Sequence, residues 1–246
     1  MIDKKGLFNL DNSISIVTGA SRGNGLSIAN GLSKSGSKIV GVDLHKTNFD
    51  YNIVGDVSSK TTLKKISNFL QKNSFSNLIL VNNAGITLPS SYPYPLDLWN
   101  KTIKTNLTAP FLLIENLIPF FKKIKKGSII NITSLASEKA FPNNPSYVSS
   151  KGGLKMLTKF YAKSLGDFGV RANNIGPGYI ETDMTKKSFL DKHKNLTIKK
   201  HTFLNRWGSS EDLVGVCIFL ASDASSYITG QDIYVDGGWL SNGMIE

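Results

Sequence analysis

The stretch "ISIVTGASRGNGLSIANGLSKSG", residues 14–36, places a strand, a glycine loop and a helix in direct succession. Its first part is an apolar, β-branched run, and its last part spaces apolar residues at helical intervals. Between them lie Gly19, Gly23 and Gly25. Backbone without a Cβ can approach a pyrophosphate closely, and the N-terminus of the following helix favours negative charge. A tight strand-to-helix turn would use the same glycines, so the loop indicates a dinucleotide site only in combination with other residues.

Downstream of this stretch, short apolar runs alternate with longer helical ones. The predicted strands are "KIVGVD", "NIVGD", "LILVNNAG" and "SIINITS", and the predicted helices include "TTLKKISNFLQK" and "WNKTIKTNLTAPFLLIENLIPFFKK". Strands that are apolar almost throughout are typical of a sheet covered by helices on both faces. The pattern predicts an α/β fold with a doubly wound parallel sheet, which binds ligands beyond the carboxyl ends of its strands.

Length and composition predict one domain over residues 1–246. The chain is 40% hydrophobic, and we find no linker, internal repeat or low-complexity tract. Between Asp43 and Asp56 lies only "LHKTNFDYNIVG", which is too short for a helix with its loops. We therefore expect the connecting helix to be absent there, or reduced to a turn.

The net charge of +11 raises the question of a nucleic-acid or anionic-membrane partner. Lysines are spread along the whole chain, so we predict neither partner. The densest run, "FFKKIKKG", is predicted to be a helix C-terminus in which Gly127 ends the turn.

Several features predict a cytoplasmic location without a membrane span. The first 17 residues lack the apolar core of a signal peptide, and Glu115 and Pro119 interrupt the most apolar helix. The single cysteine, Cys217, excludes an internal disulfide, and its apolar surroundings predict a buried, inert thiol.

Two further features point to the carboxyl edge of the predicted sheet. Asp43 ends a predicted strand about 20 residues past the glycine loop, where an acid can accept both hydrogen bonds from an adenosine ribose. A surface aspartate in a turn is the alternative.

In "PSYVSSKGGL", Tyr147 and Lys151 share one helix face, and a nearby cation lowers the pKa of a phenol from about 10.

Taken together, these residues resemble the short-chain dehydrogenase/reductase family over nearly the full length of the chain. The matching segments are "TGASRGNG", "GDV" at 55–57, "NNAG" at 82–85, "IKTNL" with Asn106, "INITS" with Ser134, the Tyr147–Lys151 pair, "PGYIET" at 177–182 and "ITGQDIYVDGG". The resemblance implies a Rossmann-like fold and hydride transfer between a nicotinamide cofactor and a secondary alcohol or ketone.

The resemblance also implies the role of each catalytic residue. Tyr147 would be the general acid/base, and Lys151 would lower its pKa and hold the nicotinamide ribose. Ser134 would hydrogen-bond the substrate oxygen, and Asn106 would hold a water that links Lys151 to solvent. No metal is implied, and the three histidines, His45, His193 and His201, show no ligand spacing.

The remaining residues implied by the family contact the cofactor. Asp56 and Val57 would bracket the adenine, and the other contacts would lie against the phosphates, the riboses and the carboxamide. The full set is Gly19, Ser21, Arg22, Gly23, Asn24, Gly25, Asp43, Leu44, Asp56, Val57, Asn83, Ala84, Gly85, Tyr147, Lys151, Pro177, Gly178, Ile180 and Thr182. Asn24 departs from the family, which usually has an apolar residue there.

Cofactor choice depends on two residues with opposite tendencies. Asp43 should repel a 2′-phosphate and favour NAD(H), whereas Arg22 is of the kind that receives that phosphate when NADP(H) binds. We expect NAD(H), because the Asp43 carboxylate would lose both ribose hydrogen bonds and face like charge, while Arg22 can turn to solvent.

Residues 183–207 are predicted to form the substrate lid, which is rich in lysine. This indicates an anionic substrate, although the general lysine bias explains the pattern equally well. The C-terminal part is similar to sugar and sugar-acid (gluconate-type) dehydrogenases and to 3-oxoacyl-carrier-protein reductases. We expect an NAD-dependent dehydrogenase of a sugar, sugar acid or other small polar alcohol; an NADPH-dependent 3-oxoacyl thioester reductase is the alternative. The family further implies a homotetramer or homodimer.

Overall fold

Seven parallel strands form one central sheet in the computed structural model, which describes residues 6–243. The strand order is β3-β2-β1-β4-β5-β6-β7, so the chain winds outward from β1 in one direction and from β4 in the other. The predicted parallel, doubly wound sheet is confirmed. The strands are β1 (Ser13–Thr18), β2 (Lys38–Asp43), β3 (Tyr51–Val54), β4 (Asn77–Asn82), β5 (Gly127–Ile132), β6 (Val170–Pro177) and β7 (Asp232–Val235).

Helices cover both faces of this sheet. One core contains residues of α2, α4 and α5, and the other contains residues of α1 and α8. Successive residues of β4 alternate between the two cores: Leu78 and Leu80 face one, Ile79 and Val81 the other. This alternation explains why the strand is apolar throughout. The helices are α1 (Gly23–Lys34), α2 (Lys60–Gln71), α3 (Leu96–Ile103), α4 (Ala109–Ile124), α5 (Pro145–Leu165), α6 (Lys186–Leu190), α7 (Lys192–His201) and α8 (Val214–Ala221).

The order of the strands reverses between β1 and β4, which lie side by side in the middle of the sheet. In doubly wound sheets a ligand crevice opens at this switch point, beyond the carboxyl ends of the strands. The glycine loop follows β1 and the "NNAG" segment ends β4. The fold therefore brings together two segments, residues 19–25 and 82–85, that are far apart in sequence.

The connection between β2 and β3 contains no helix, as its length predicted. The long predicted helix is interrupted: a π-helical segment, Lys104–Thr108, separates α3 from α4. Nothing in the sequence pattern indicated this segment.

The prediction that Gly127 ends the turn after α4 is wrong. Lys125 is the left-handed residue, with φ +55°, and its backbone N–H donates to the carbonyl of Phe121 at 2.9 Å. Gly127 begins β5 and is buried, and a Cβ there would lie 2.6 Å from the ring of Phe121. Glycine is thus required at this position by close packing.

The predicted lid contains two short helices, α6 and α7. Asp191 caps α7, because its side chain accepts a hydrogen bond from the backbone N–H of Lys194 at 3.1 Å. Within residues 6–243, no helix is both long enough and apolar enough to cross a membrane.

Candidate active site

The glycine loop after β1 is shaped for close approach of a ligand. Gly19 and Gly23 have φ of +67° and +54°, which side-chain-bearing residues rarely adopt. A Cβ on Gly25 would overlap the carbonyl oxygen of Gly19, so this contact requires glycine. The loop leads directly into the N-terminus of α1, whose free backbone N–H groups favour an anion.

Hydrogen bonds join this loop to the end of β4. The side-chain amide of Asn83 donates to the carbonyl oxygens of Thr18 and Gly19, at 2.9 and 3.3 Å. In return, the hydroxyl of Thr18 accepts from the backbone N–H groups of Asn83 and Ala84, each at 3.0 Å. The two segments are thereby held together at the switch point of the sheet.

Asp43 lies at the carboxyl end of β2 and is fixed by backbone groups. One carboxylate oxygen accepts from the N–H of Ser21 and the other from the N–H of His45, each at 3.0 Å. Burial raises the pKa of this carboxyl, but the N–H groups of His45 and Ser21 outweigh it and hold that pKa below its ordinary value. Asp43 is therefore an ionised acceptor beside the glycine loop, which fits the diol of an adenosine ribose.

Other predicted cofactor residues surround this position. The Asp56 carboxylate accepts from the hydroxyl and the N–H of Ser58, at 2.7 and 2.8 Å. These bonds hold the pKa of Asp56 below its ordinary value. Val57 is buried in one core, whereas the neighbouring predicted contact Leu44 is 67% exposed.

Arg22 and Asn24 are both engaged by distant segments. The Arg22 guanidinium lies 3.3 Å from the Asp183 carboxylate at the start of the predicted lid, and both side chains are largely exposed. The Asn24 side chain accepts from the Ser210 hydroxyl at 2.8 Å. Arg22 and Asn24 thus connect the glycine loop and the start of α1 to the segment between β6 and α8.

The loop after β6 lies next to the glycine loop, because a Cβ on Gly23 would be 3.8 Å from the Thr182 side chain. Gly178 donates its N–H to the carbonyl of Val235 at 2.9 Å, and a Cβ there would collide with the backbone of Asp236. The Thr182 N–H donates to the hydroxyl of Thr185 at 3.0 Å, and that hydroxyl donates to the carbonyl of Ile180 at 2.6 Å. The segment that follows Pro177 is thus a set of interlocked turns.

Tyr147 and Lys151 lie one turn apart on α5, as predicted. Lys151 is 4% exposed, donates to the carbonyl of Ile132 at 2.7 Å, and places its ammonium 5.8 Å from the centre of the Tyr147 ring. Burial lowers the pKa of Lys151 to about 8.

The predicted lowering of the Tyr147 pKa is wrong for this structure. Burial raises the pKa of the Tyr147 phenol above its ordinary value, and the Ser134 side chain offsets only part of that rise. The physical reason is the burial of the phenol, and the Lys151 ammonium, which lies over the face of the ring, donates to the Ile132 carbonyl.

Ser134 and Asn106 complete the group. Ser134 follows β5, and its hydroxyl accepts from the Ala136 N–H at 3.1 Å. Asn106 lies in the π-helical segment, fully buried; its side chain accepts from the Ile86 N–H at 2.8 Å and donates to the Ile86 carbonyl at 2.9 Å. It also donates to the Ser150 hydroxyl on α5 at 3.2 Å, so the segment after β4 is joined to the helix of Tyr147.

The burial of the Lys151 ammonium predicts how the stability of the protein depends on pH. Because the pKa of Lys151 is about 8 in the folded state and 10.5 ordinarily, the folded protein loses this proton first as pH rises. Between pH 8 and 10 the unfolded state binds more protons, so the free energy of unfolding should rise with pH by roughly 2–3 kcal/mol from this group alone. Lys151→Met should remove that rise and be more stable than wild type at pH 7.

Urea titrations of both proteins at several pH values measure this difference. Changes in overall charge affect the two proteins alike, so the difference between their slopes isolates Lys151. Parallel pH profiles for wild type and Lys151→Met would show that the lysine is not buried as a cation.

Comparison with known proteins places this geometry in a family. Residues 19–240 match the family described as Enoyl-(Acyl carrier protein) reductase. Gluconate 5-dehydrogenase of Gluconobacter oxydans is 33% identical, over 94% of this chain and 96% of that protein. The chain belongs to the short-chain dehydrogenase/reductase family. This confirms the predicted family and, with it, the predicted class of oxidoreductase.

Further relatives and solved structures share the full length of the chain. 2-Dehydro-3-deoxy-D-gluconate 5-dehydrogenase of Bacillus subtilis is 35% identical over 95% of this chain and 97% of its own. The 3-oxoacyl-[acyl-carrier-protein] reductase of Thermotoga maritima is 31% identical over 93% and 98%. The crystal structure of gluconate 5-dehydrogenase from Burkholderia cenocepacia, in complex with NADP and tartrate, superposes with a TM-score of 0.89 at 32% identity, covering 95% and 97%.

Some residues that shape the site were not identified from the sequence. Thr18 precedes the glycine loop, and its contacts with Asn83 and Ala84 span 65 residues or more. Glu138 and Tyr234 meet beside the Ser134 turn, 96 residues apart. The signal available for Thr18 was its position, since it is the last residue of a predicted buried strand and directly precedes the glycine loop.

Proposed function

We propose that the protein interconverts the alcohol and ketone forms of a sugar acid, using a nicotinamide cofactor with NAD(H) favoured over NADP(H). The observation that carries the proposal is the Tyr147–Lys151 pair on α5, in which Lys151 is buried and Tyr147 is partly buried, adjoining Ser134 at the carboxyl edge of the sheet. Relatives named for gluconate, 5-ketogluconate and deoxygluconate chemistry support the choice of substrate.

The glycine loop and Asp43 fit a dinucleotide, because Gly19 and Gly23 adopt positive φ in a loop without side chains there, and the Asp43 carboxylate accepts from the N–H groups of Ser21 and His45 beside it. A bound nicotinamide would supply or accept the hydride. The N-terminus of α1 would hold the pyrophosphate, and Asp43 would hold the adenosine ribose. The segment from Pro177 to Thr182 would hold the carboxamide.

The remaining steps belong to side chains of this chain. Tyr147 passes its phenolic proton to the substrate oxygen during reduction and takes it back during oxidation. Ser134 donates a hydrogen bond to the same oxygen and orients it. Lys151 holds the nicotinamide ribose, and its ammonium lies over the face of the Tyr147 ring. Asn106 holds the water that connects Lys151 to solvent.

An anionic substrate is supported by the charge of the lid. Helices α6 and α7, which lie within residues 183–207, contain six lysines. In the part of the chain that the structure describes, one of these lysines, Lys194, forms an ion pair, with Asp191 at 3.8 Å. Cations in excess raise the local concentration of an anion and its rate of association. The alternative function, reduction of 3-oxoacyl thioesters, is supported by the Thermotoga maritima relative.

A panel of two substrates separates these functions. 5-Keto-D-gluconate and a 3-oxoacyl thioester are each reduced with NADH and with NADPH, and kcat/KM is compared. The proposal expects the higher kcat/KM for 5-keto-D-gluconate, and that value should fall with increasing salt. A higher kcat/KM for the thioester would contradict the proposal and favour the alternative.

Asp43 should select the cofactor. Asp43→Asn keeps the size of the side chain but loses the charge, so NADH binding should weaken roughly tenfold to a hundredfold through loss of charged ribose hydrogen bonds. Binding of NADPH should be unchanged or tighter, because like-charge repulsion is removed. Fluorescence titration with both cofactors measures this.

Arg22→Gln is the matched control for that titration. It should leave NADH affinity unchanged, because the Arg22 side chain is exposed and paired with Asp183. Tighter binding of NADPH than of NADH to the wild-type protein would overturn the proposed preference for NAD(H). Two solved structures similar to this chain hold NADP, so NADPH belongs in the titration.

We also propose that the protein forms a homotetramer or homodimer in the cytoplasm. Large apolar side chains on α4 and α5 support association: Phe111 is 42% exposed, and Met156 and Phe160 are each 60% exposed. Apolar surface of this kind is typical of an interface between subunits. A monomer in sedimentation experiments would contradict the proposal.

A further inference from the structure

Glu138 is a polar residue beside the proposed active site to which the proposed function gives no role. It follows the 3₁₀ turn Leu135–Ser137 and lies at the surface, with 34% of its side chain exposed. One carboxylate oxygen accepts from the ammonium of Lys155 on α5 and from the hydroxyl of Tyr234 on β7, the latter at 2.6 Å. Glu138 therefore contacts two elements that do not adjoin it in sequence.

The contact with Tyr234 leads to Ser134. The Tyr234 hydroxyl lies 3.1 Å from the hydroxyl of Ser137. The Ser137 N–H donates to the carbonyl oxygen of Ser134 at 3.0 Å, and the Ser137 hydroxyl, 2.6 Å from that oxygen, has one proton to give either to it or to the Tyr234 hydroxyl. An ionised carboxylate can only accept hydrogen bonds, so the Tyr234 hydroxyl donates its proton to Glu138. Glu138 thereby orients the Tyr234 hydroxyl beside this turn.

The contact with Lys155 leads to Tyr147. Lys155 lies one turn beyond Lys151 on α5, on the same face. Its ammonium is also 3.6 Å from the Asp232 carboxylate, which accepts from the side chain of Asn174 at 2.7 Å. The ionic groups around Glu138 are thus on α5 and β7, including Lys159, which is 3.5 Å from Asp232. The hydrogen bond from Lys155 holds the pKa of Glu138 below its ordinary value.

The two proposed catalytic hydroxyls stand on different elements. Ser134 belongs to the turn after β5, and Tyr147 belongs to α5. Both must meet one substrate oxygen, and a misplacement of about 1 Å can reduce the rate by roughly a hundredfold. A direct link between turn and helix therefore has a consequence for the reaction.

We propose that Glu138 is a positioning residue, which joins the Ser134 turn to α5 through Lys155 and to β7 through Tyr234 and so sets the placement of Ser134 relative to Tyr147. This rests on the proposed function, in which those two residues act on the substrate. Glu138 itself contacts neither substrate nor cofactor.

Glu138→Gln tests the proposal, because glutamine preserves shape and removes the charge. We expect kcat to fall roughly tenfold, with KM and NADH affinity changed by less than about twofold, since only the alignment of the hydroxyls is disturbed. Tyr234→Phe should give a smaller loss, and the double variant should lose less than the product of the two, because both residues act through one network.

The pH profile gives a readout that a purely structural role would not move. The Ser134 side chain lowers the pKa of Tyr147 against the effect of burial. If Ser134 is displaced in Glu138→Gln, the rising limb of alcohol oxidation should shift to higher pH. Lys155→Arg keeps the ion pair with Glu138 and should retain most of kcat.

Lys126→Gln is the matched control. It breaks an ion pair with Asp223 of 2.9 Å at the amino edge of the sheet, and it should leave kcat and the pH profile unchanged. An unchanged kcat in Glu138→Gln, or a parallel loss of kcat and NADH affinity, would overturn the positioning role.

Hydrogen exchange tests the same role without turnover. The amides of Ala136 and Ser137 should exchange faster in Glu138→Gln than in wild type, while those of β4 should not change. Equal exchange at the turn would overturn the inference. A wild-type protein that reduces no sugar acid would contradict only the proposed function, because the exchange result stands independently.

Discussion

Tyr147→Phe is expected to reduce turnover by roughly a thousandfold or more, because phenylalanine cannot transfer the proton that accompanies the hydride. The Tyr147 ring is partly buried on α5, and removal of one oxygen leaves its packing intact. Binding of NADH should therefore be unchanged. Steady-state rates and a fluorescence titration on the same preparation measure both quantities.

Tyr161→Phe is the matched control for this variant. Tyr161 is also buried on α5, and its hydroxyl donates to the Glu115 carboxylate at 2.6 Å, away from the proposed site. Its loss should lower the stability of the protein and leave kcat unchanged. Turnover by Tyr147→Phe within about tenfold of wild type would show that another group supplies the proton.

Gly25→Ala is expected to weaken binding of the cofactor by roughly a hundredfold, as if two hydrogen bonds to a charged phosphate were lost. The added Cβ would overlap the carbonyl oxygen of Gly19 and approach the side chain of Asn83. To relieve that overlap the loop must move away from α1, and the N–H groups that receive the pyrophosphate move with it. Titration with NADH measures the loss.

A glycine in another helix provides the comparison. A Cβ added at Gly215 in α8 would point into open space, with no neighbouring atom of residues 6–243 within 4 Å, so Gly215→Ala should bind NADH as wild type does. It should also be slightly more stable, since alanine is the better helix former. Equal affinity of Gly25→Ala and Gly215→Ala for NADH would mean that the loop does not hold the cofactor.

Much of the fold could be predicted because the sheet is buried on both faces. In β4, adjacent residues such as Leu80 and Val81 enter opposite cores, which leaves an uninterrupted apolar run in the sequence. The lengths of the connections were equally informative, since too few residues separate Asp43 from Tyr51 for a helix. Both signals depend on residues that are close together in the chain, so they can be recognised in a single sequence.

The contacts that organise the site are not local. The π-helical segment places Asn106 against both backbone groups of Ile86, 20 residues away, and no periodicity reports such a contact. The error at Gly127 has a similar origin, because a side chain there is excluded by the carbonyl oxygen of Leu78 in β4 as well as by Phe121 in the preceding helix. Spacing in the sequence shows which residues can lie on the same face of a helix or strand. It does not show which distant residue each side chain contacts.

The Tyr147–Lys151 pair shows the same limit in electrostatic terms. Its spacing predicted the shared face, and the structure has that arrangement. The direction of the pKa of Tyr147 depends on how deeply the phenol is buried and on where the Lys151 ammonium points, namely at the Ile132 carbonyl. Both quantities come from the assembled fold.

The most direct test of the account is the reduction of 5-keto-D-gluconate by the purified wild-type protein with NADH. The consumption of NADH, followed by its absorbance, is compared with the gluconate formed, and Tyr147→Phe serves as the blank. We expect equal amounts of NADH consumed and gluconate formed, with no reaction in the blank. Tight binding of NADH without any consumption in the presence of this substrate would contradict it.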